Sequence, residues 1–257
     1  MSKIHPTAII DPAAQLADDV TVHPYAIIEG DVVIGMGSSI GPHAGIYDGA
    51  RIGEDVVIHQ SASISHRPQD KKYAGQKTLT YIGDRTVIHE FVTVHRGAHT
   101  EKTVVGSDVL LMNYVHVAHD CRVGNEVIIA NSVQIAGHTH IDDFAIIGGL
   151  CPVHQFTSIG KYTMIGGGTL VRKDIPPYVM AAKDPVSFCG LNLVGLRRRG
   201  FSSDDINKIK SIYHLLLFSG FNTTAALEEI EKQYPGDPYA AEIVNFVRTS
   251  RRGIFHR

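Results

Sequence analysis

The chain has 257 residues, no tryptophan, 7% aromatic residues and a formal net charge of −2 at pH 7. With this nearly neutral charge there is no strong basic field, so we expect no nucleic-acid partner. The three cysteines, Cys121, Cys151 and Cys189, lack the C-x-x-C spacing of a zinc ribbon and do not suggest a disulfide framework.

The amino-terminal segment MSKIHPTAII has no basic stretch followed by a long apolar run. Elsewhere, no stretch reaches the ~18 apolar residues that a membrane span needs. We therefore expect a cytoplasmic protein with no membrane span.

Aliphatic residues recur every six positions over most of the chain. The first series runs from Ile4 to Ile64, a short series covers 82–94, and the last runs from Val105 to Val171. An α-helix would show a period of 3.6 and a simple strand a period of 2. A period of six is typical of a triangular coil with one hexad on each face and ~4.8 Å between stacked coils. We predict a mainly β fold, a parallel β-helix of about nine to ten coils within a domain at 1–185.

Two polar segments interrupt this period. Residues 66–80 (HRPQDKKYAGQKTLT) carry proline and glycine and predict a protruding loop, and residues 100–104 (TEKTV) predict a second, smaller insertion. The period resumes after each segment, as expected of surface loops.

The six-residue pattern stops at Ile175-Pro176-Pro177, and helical spacing follows. Ser202 and Ser203 precede two aspartates and an apolar stripe, which predicts a capped amphipathic helix. Further helical segments begin near Asn222 and Pro238. We predict a small α-helical domain at 186–257.

In a coil of three hexads, positions eighteen apart lie one above another, which gathers histidines on one face of the prism. The predicted column holds His95, His119, Gly137, His138, His154 and Gln155, and His116 is predicted just before the same face, at the turn into it. A single histidine on a β-helix turn more often has no functional role, and that interpretation stays open for each histidine taken alone. Five of the fifteen histidines on one column, beside a polar loop, indicate an active site.

Proton transfer is the chemistry that this column offers. A histidine can take a proton from an alcohol and return it to a leaving group. Asp120 follows His119 and can fix the tautomer of its ring, while the N–H of Gly137, one coil above, can face a developing oxyanion. Cys121 and Cys151 fall at small interior positions, so packing explains them. This set of groups, with no nucleophilic side chain among them, favours direct transfer of an activated acyl group to a hydroxyl.

Several segments resemble the UDP-N-acetylglucosamine O-acyltransferase family of lipid A biosynthesis. They are VTVHRG (92–97), MNYVHVAHDCRVGN (112–125), IAGHTHIDDFAIIGG (135–149), VHQF (153–156), IPPYV (175–179) and GLRRRGF (195–201). The resemblance implies left-handed coils and a homotrimer with active sites between subunits. It implies that a (3R)-3-hydroxyacyl chain passes from the phosphopantetheine arm of acyl carrier protein to the 3-hydroxyl of UDP-N-acetylglucosamine, the first step of the pathway. It implies neither a cofactor nor a metal.

The resemblance also implies residue roles. His119 is the general base, Asp120 orients it, and the Gly137 N–H stabilises the oxyanion. The residues implied to bind substrate are Asp70, Lys72, His95, His116, His138, His154, Gln155, Asn192, Arg198 and Arg199. Arginines 197–199 also suit an acidic carrier protein, because guanidinium binds phosphate and carboxylate well.

Three points stay open. Gly167 matches a position that measures acyl chain length, but a glycine at a tight corner would explain it equally well. Asp70 and Lys72, taken without the resemblance, read as a solvated charge pair. Val194 stands where relatives usually carry an acidic residue, which puts details of nucleotide contact in doubt.

Rival functions remain. Hexapeptide β-helices also form trimeric carbonic anhydrases that bind zinc through histidines. Another hexapeptide acyltransferase, or a scaffold without catalysis, would share the repeat. Stoichiometric zinc would favour the first rival, and indifference to loss of His119 would favour the last.

Overall fold

The computed structural model describes residues 3–255, so the outermost residues of the two predicted domains, 1–2 and 256–257, lie outside the described part. Its strands are short, and most have two residues because each hexad spends its other four residues turning a corner. In chain order they are β1 (Lys3–Ile4), β2 (Ile9–Ile10), β3 (Gln15–Leu16), β4 (Thr21–Val22), β5 (Ile27–Ile28), β6 (Val33–Ile34), β7 (Ser39–Ile40), β8 (Gly45–Ile46), β9 (Ala50–Ile52), β10 (Val57–Ile58), β11 (Ser63–His66), β12 (Leu79–Ile82), β13 (Val87–Ile88), β14 (Thr93–His95), β15 (Lys102–Val105), β16 (Leu110–Leu111), β17 (His116–Val117), β18 (Arg122–Val123), β19 (Ile128–Ile129), β20 (Gln134–Ile135), β21 (His140–Ile141), β22 (Ile146–Ile147), β23 (Pro152–Val153), β24 (Ser158–Ile159), β25 (Met164–Ile165), β26 (Val179–Ala182) and β27 (Ser187–Leu191).

The strands form three sheets, one on each face of a triangular prism. The first sheet contains β1, β4, β7, β10, β13, β16, β19, β22, β25, β26 and β27; the second and third sheets take every third strand from β2 to β23 and from β3 to β24. All pairs are parallel except β26 with β27. Where no loop intervenes, partners are eighteen residues apart, as in Val117 and Ile135. The predicted β-helix is confirmed, while its left hand stays a prediction from the resemblance.

The core is the column of aliphatic residues that defines the six-residue period. Ile28, Ile46, Ile64, Val94 and Val117 are at most 1% exposed. Each such side chain contributes roughly 1.5–3 kcal/mol by leaving water. The periodic burial of these residues is therefore what stabilises a fold whose strands are too short to be stable alone.

Both interruptions are smaller or differently placed than the sequence predicted. His66 ends β11 and Leu79 begins β12, so the first loop covers 67–78, within the predicted segment of about 66–80. Residues 102–104 were predicted to belong to an insertion, but they lie in β15, where Val104 pairs with Tyr81 of β12. The extra residues are accommodated instead in the turn at 96–101. The reason is that Thr103 and Val105 alternate inward and continue the β ladder.

Four helices follow the β-helix among the described residues: α1 (Leu193–Arg198), α2 (Ser203–Phe218), α3 (Thr223–Gln233) and α4 (Pro238–Thr249). The predicted cap of α2 is confirmed, because Ser202 and Asp205 form a reciprocal capping box. Sequence analysis missed α1. The predicted boundary at 185/186 falls between β26 and β27 and stays a prediction.

The helices close one end of the prism. The Tyr213 hydroxyl of α2 donates to the carbonyl of Pro177 over 2.6 Å, and Phe255, after the last helix, is 2% exposed. No helix within residues 3–255 has the length and apolar character that crossing a bilayer demands.

Candidate active site

Most of the predicted histidines stack along one edge of the prism, where turns lead from the second sheet into the third. We call this edge, made of these turns and the strand residues that lead into them (95–101, 116–121, 136–139 and 154–157), the histidine edge. Neighbouring rings along it are close: His95 and His116 have centroids 4.8 Å apart, and His119 and His138 have centroids 5.4 Å apart. The rings of His138 and Phe156 stack at 4.7 Å.

The sequence placed His119 and His138 on a flat face and His116 at the turn into it, and this part of the prediction was wrong. His116 lies in strand β17 itself. His119 and His138 lie in the turns that follow β17 and β20. Asp120 and His138 have φ angles of 61° and 60°, which is the left-handed region that turns the corner. Strands β17 and β20 have only two residues each, and the interior aliphatic residue is the last of the two. His119 and His138 follow that residue by two and three positions, so they fall in the turn and not on the face.

His119 lies between two carboxylates. Its Nδ1 is 2.8 Å from Asp120 Oδ2, and its Nε2 is 3.7 Å from Asp70 Oδ2. The His119 side chain is 13% exposed, so the ring is held on one side and reachable on the other. Because the Asp120 carboxylate can only accept a hydrogen bond, it favours the tautomer with hydrogen on Nδ1 and leaves Nε2 free to accept a proton.

Asp120 is 6% exposed and is held by the turn at 96–101. Its Oδ1 accepts hydrogen bonds from the main-chain N–H groups of Ala98 and Thr100 and from the Thr100 hydroxyl, at 3.0, 2.8 and 2.6 Å. Its Oδ2 accepts the N–H of His99 at 3.0 Å. Burial acts to raise the pKa of Asp120, but these hydrogen bonds and that from His119 outweigh it and hold the pKa well below the usual range. Asp120 is therefore a fixed anion behind His119.

Gly137 packs against the face of the His119 ring. A Cβ placed on Gly137 would lie 2.7 Å from His119 Cε1 and 2.9 Å from Nε2, so only glycine fits without moving the ring. The Gly137 carbonyl accepts a hydrogen bond from the N–H of Phe156 in the next coil. The N–H of Gly137 itself has no main-chain partner among residues 3–255. That N–H is available to a ligand beside His119.

Three other histidines of the edge are held in their neutral form by burial. Burial lowers the pKa of His95 to about 4 and also lowers the pKa values of His116 and His138. His95 is 4% exposed, and its Nδ1 has no hydrogen-bond partner among the described residues. At neutral pH these rings can donate or accept hydrogen bonds without adding charge.

The buried His95 predicts an acid-sensitive contribution to stability. Below pH 6.5, the ordinary pKa of a histidine, His95 binds a proton in the unfolded chain, whereas in the folded protein it does so only near pH 4. The free energy of unfolding should therefore fall as the pH drops through this window, by up to about 3 kcal/mol from this residue. We expect His95→Leu to lose less stability than the unchanged protein between pH 7 and pH 4.5, measured by denaturant unfolding. His140→Leu, on the third sheet, is the control; an equal acid loss in His95→Leu and the unchanged protein would contradict the prediction.

The remaining predicted residues of the edge and loop are placed as follows. Asp70 reaches the edge from the 67–78 loop, and the exposed Lys72 donates its main-chain N–H to Asp70 Oδ1 at 2.8 Å. His154 donates from Nδ1 to the carbonyl of Gln155 at 3.0 Å, and both residues are exposed one coil beyond His138.

Asn192, Arg198 and Arg199 are not brought to the histidine edge. Asn192 caps α1 and donates to the carbonyl of Tyr162 at 2.9 Å. Arg199 forms an ion pair with Glu126, and its guanidinium lies 4.5 Å from the ring centroid of Phe144. These contacts belong to the edge where turns lead from the third sheet into the first, which we call the helix edge.

Gly167 lies on the third edge, where turns lead from the first sheet into the second. A Cβ there would meet only the backbone of Gly149, at 3.3 Å. The neighbouring Gly168 has a φ of 72°, whereas the φ of Gly167 is one that other residues adopt. A positive φ therefore explains Gly168, whereas at Gly167 the close approach of the Gly149 backbone favours a small residue.

His119, Asp120 and His138 also offer one ligand atom each within 4.8 Å of one another, a spacing that suits a metal ion. The carboxylate of Asp120, however, already accepts hydrogen bonds from three main-chain amides, a hydroxyl and an imidazole. A metal would have to displace some of these donors, so the donor set suits a hydrogen-bonded catalytic pair better than a metal centre.

Sequence reasoning missed His99 and Thr100, which surround Asp120. The sequence feature that could have indicated these two residues was the short insertion, since a lengthened turn next to a cluster of histidines is well placed to contact them. The contacts of this turn were not predictable from periodicity, because residues 96–101 lie outside the six-residue register.

Comparison with known proteins agrees with this architecture. A family model described as Udp N-acetylglucosamine O-acyltransferase, domain 2, matches residues 174–255, and a model described as bacterial transferase hexapeptide matches 31–66 and 102–137. An acyl-[acyl-carrier-protein]--UDP-N-acetylglucosamine O-acyltransferase from Chlorobaculum parvum is 52% identical over 255 residues, covering 98% of this chain and 97% of that protein. A protein of the same name from Saccharophagus degradans is 46% identical, covering 99% of each chain.

Solved structures give the same result. A UDP-N-acetylglucosamine acyltransferase from Bacteroides fragilis matches with a TM-score of 0.96 at 43% identity, covering 98% of this chain and 99% of that one. The fold, its repeats and the histidine edge define a hexapeptide-repeat transferase. Since the identity to these relatives extends over nearly the whole chain, the protein belongs to the UDP-N-acetylglucosamine O-acyltransferase family.

Proposed function

We propose that this protein transfers a (3R)-3-hydroxyacyl chain from acyl carrier protein to the 3-hydroxyl of UDP-N-acetylglucosamine, the first reaction of lipid A biosynthesis. The relatives' names give an acyl-[acyl-carrier-protein] as the donor and UDP-N-acetylglucosamine, acylated on oxygen, as the acceptor. The observation that carries the proposal is the His119 ring, which has a carboxylate at Nδ1, an accessible Nε2 and an unused glycine N–H beside it. Three free cysteines suit a reducing cytoplasm as the site of the reaction.

In the proposed reaction, His119 Nε2 accepts the proton of the sugar 3-hydroxyl as its oxygen attacks the thioester carbonyl. Asp120 stabilises the resulting imidazolium, and the Gly137 N–H donates a hydrogen bond to the oxyanion. When the tetrahedral intermediate collapses, the carbon–sulfur bond breaks and the imidazolium returns its proton to the leaving thiolate. An ester and a free phosphopantetheine thiol result, and His119 is regenerated.

Direct transfer is supported by the state of the nearby thiol. Cys121 is fully buried, donates its S–H to the carbonyl of Ala136 at 3.2 Å, and has a pKa raised by burial to about 12. Such a thiol is neither ionised nor reachable at neutral pH, so it does not form an acyl-enzyme.

We assign the neighbouring polar groups to the substrate. Asp70 and Lys72 would contact the sugar and its nucleotide from the loop, and His95, His116, His138, His154 and Gln155 would line the groove along the histidine edge. Gly167 would leave room for a long acyl chain, because it adds no side chain to its edge of the prism.

The same proposal includes a homotrimer with active sites between subunits. Asn192, Arg198 and Arg199 would contact the uridine phosphates, yet their segment packs at the helix edge and not at the histidine edge. A neighbouring prism can bring that segment to His119. Large apolar side chains are also exposed on the edge that carries Gly167, as expected of a surface that a second copy covers: Tyr25, Phe91, Tyr114 and Leu150, with exposures of 56, 43, 56 and 70%.

Mixed subunits test this arrangement. We expect His119→Ala and Arg198→Ala proteins to be weakly active alone, and to regain activity when they are unfolded together and refolded as mixed trimers. If each site takes His119 from one subunit and Arg198 from the next, an equal mixture restores about one site in four. Each variant refolded with itself is the control. Mixed trimers with no more activity than these controls would place both residues in one subunit.

The function itself is tested by an acyl-transfer assay with UDP-N-acetylglucosamine and a panel of 3-hydroxyacyl carrier proteins. We expect ester formation at the sugar hydroxyl with a preference for one chain length. The proposal fails if no carrier protein supports transfer. Stoichiometric zinc together with chelator-sensitive hydration of CO₂ would favour the carbonic anhydrase rival.

A further inference from the structure

His99 contacts both of the carboxylates that flank His119. Its ring Nε2 lies 2.7 Å from Asp70 Oδ2, and its main-chain N–H donates to Asp120 Oδ2 at 3.0 Å. The ring centroid of His99 is 5.9 Å from that of His119 and 5.7 Å from that of His138. His99 therefore joins the 67–78 loop to the part of the histidine edge that holds the general base.

The Asp70 side chain has few other restraints. Within its own loop, Asp70 accepts the N–H of Lys72, and this hydrogen bond followed by that from His99 keeps the pKa of Asp70 below its usual value. Among residues 3–255, the His99 ring is the only hydrogen-bond partner of the Asp70 side chain outside the loop; His119 Nε2 lies farther away, at 3.7 Å. The loop is packed through the buried residues Pro68, Tyr73 and Thr78, but none of these donates a hydrogen bond to the Asp70 carboxylate. The bond from His99 is therefore what holds that carboxylate toward the histidine edge.

The chemistry of the contact is directional. A carboxylate only accepts hydrogen bonds, so Nε2 of His99 donates to Asp70. The second oxygen of Asp70 faces its own loop, and the bonded Oδ2 lies toward the nitrogen of His119 that would accept the sugar proton. A hydroxyl between these two groups can reach both of them.

We propose that His99 is a positioning residue, whose ring holds the Asp70 carboxylate over His119 Nε2 so that the loop presents a hydrogen-bond acceptor to the sugar of the nucleotide substrate. This inference rests on the proposed function for the identity of that substrate. His99 does not exchange a proton with the substrate; it acts through Asp70.

The first test separates substrate binding from chemistry. Loss of a hydrogen bond to a charged group predicts that His99→Leu raises the KM for UDP-N-acetylglucosamine about tenfold, with kcat much less affected. His99→Gln keeps an N–H donor at a similar distance and should restore most of the affinity. In a double-mutant cycle, His99→Leu should add little to Asp70→Ala, because each change removes one of the two partners of the same hydrogen bond. An unchanged KM, or fully additive effects, would overturn the proposal.

A matched control exists on the third sheet. His140 Nε2 lies 2.7 Å from Asp142 Oδ1, a pair with the same distance as His99 and Asp70 that joins no loop to the histidine edge. His140→Leu should leave the KM unchanged.

A second measurement does not depend on activity. Hydrogen exchange of the amides at 67–78 should become faster in His99→Leu and remain near that of the unchanged protein in His99→Gln. Equal exchange in all three proteins would overturn the proposal even if catalysis were affected. If the unchanged protein transfers no acyl group to UDP-N-acetylglucosamine, the proposed function fails, and the exchange result still decides whether His99 holds the loop.

Discussion

His119→Ala is expected to lower kcat for acyl transfer by at least ~10²-fold, since general-base catalysis by a positioned imidazole typically contributes that much. The replacement removes the group between Asp120 and Asp70 but leaves the interior of the coil unchanged, because the ring lies at the edge and not in the aliphatic core. Steady-state rates with UDP-N-acetylglucosamine and 3-hydroxyacyl carrier protein check the prediction.

Circular dichroism and thermal unfolding provide the control for His119→Ala. A folded variant with an unchanged rate would remove His119 from the mechanism and favour a scaffold function. A variant that is inactive because it is unfolded would not answer the question, which is why His119→Gln, with similar side-chain volume and no basic nitrogen, is measured beside it. We expect it to fold and to be comparably inactive.

Gly137→Ala is expected to lower kcat by about 10²-fold, because a displacement of about 1 Å in a catalytic group has an effect of this size. The added Cβ would lie 2.7 Å from His119 Cε1, so the ring has to move away from Asp120 or from the substrate. The backbone at Gly137 does not have the positive φ that only glycine favours, and the fold should persist. Measured kcat, together with unfolding temperature, separates the two effects.

Gly30 offers a matched control for this substitution. It occupies the same position in its hexad, two residues after the interior Ile28, in the same kind of turn near the amino-terminal end. A Cβ there would meet the exposed side chain of Asp11 at 3.2 Å, which can move aside. We expect Gly30→Ala to keep full activity. If Gly137→Ala were equally active, the close packing of this glycine on His119 would have no catalytic role.

The two substitutions examine different parts of one arrangement. His119→Ala removes the proton acceptor, whereas Gly137→Ala retains it and changes its position. Comparable losses in both would indicate that the reaction depends on where the imidazole lies as much as on its presence. The dense set of hydrogen bonds to Asp120, from a turn that also carries His99, accounts for that dependence, since it fixes the carboxylate behind the ring.

The six-residue period by itself determined the β-helix, its core and the stacking of residues eighteen apart. It could do so because each coil repeats the same local geometry, so inward positions such as Val117 and Ile135 follow from counting. The same counting brought His119, Gly137 and His138 together. It misplaced them on a face because it does not distinguish a strand of two residues from the turn that follows.

Only the tertiary structure decided which groups complete the site. The contact of Asp70 with His99 and the amides around Asp120 come from irregular segments at 67–78 and 96–101, where no periodic register applies. The placement of Asn192 and Arg199 likewise depends on how the α1 segment packs along the helix edge. Repeats encode local geometry that propagates along the chain, whereas contacts between loops depend on paths that no repeat specifies.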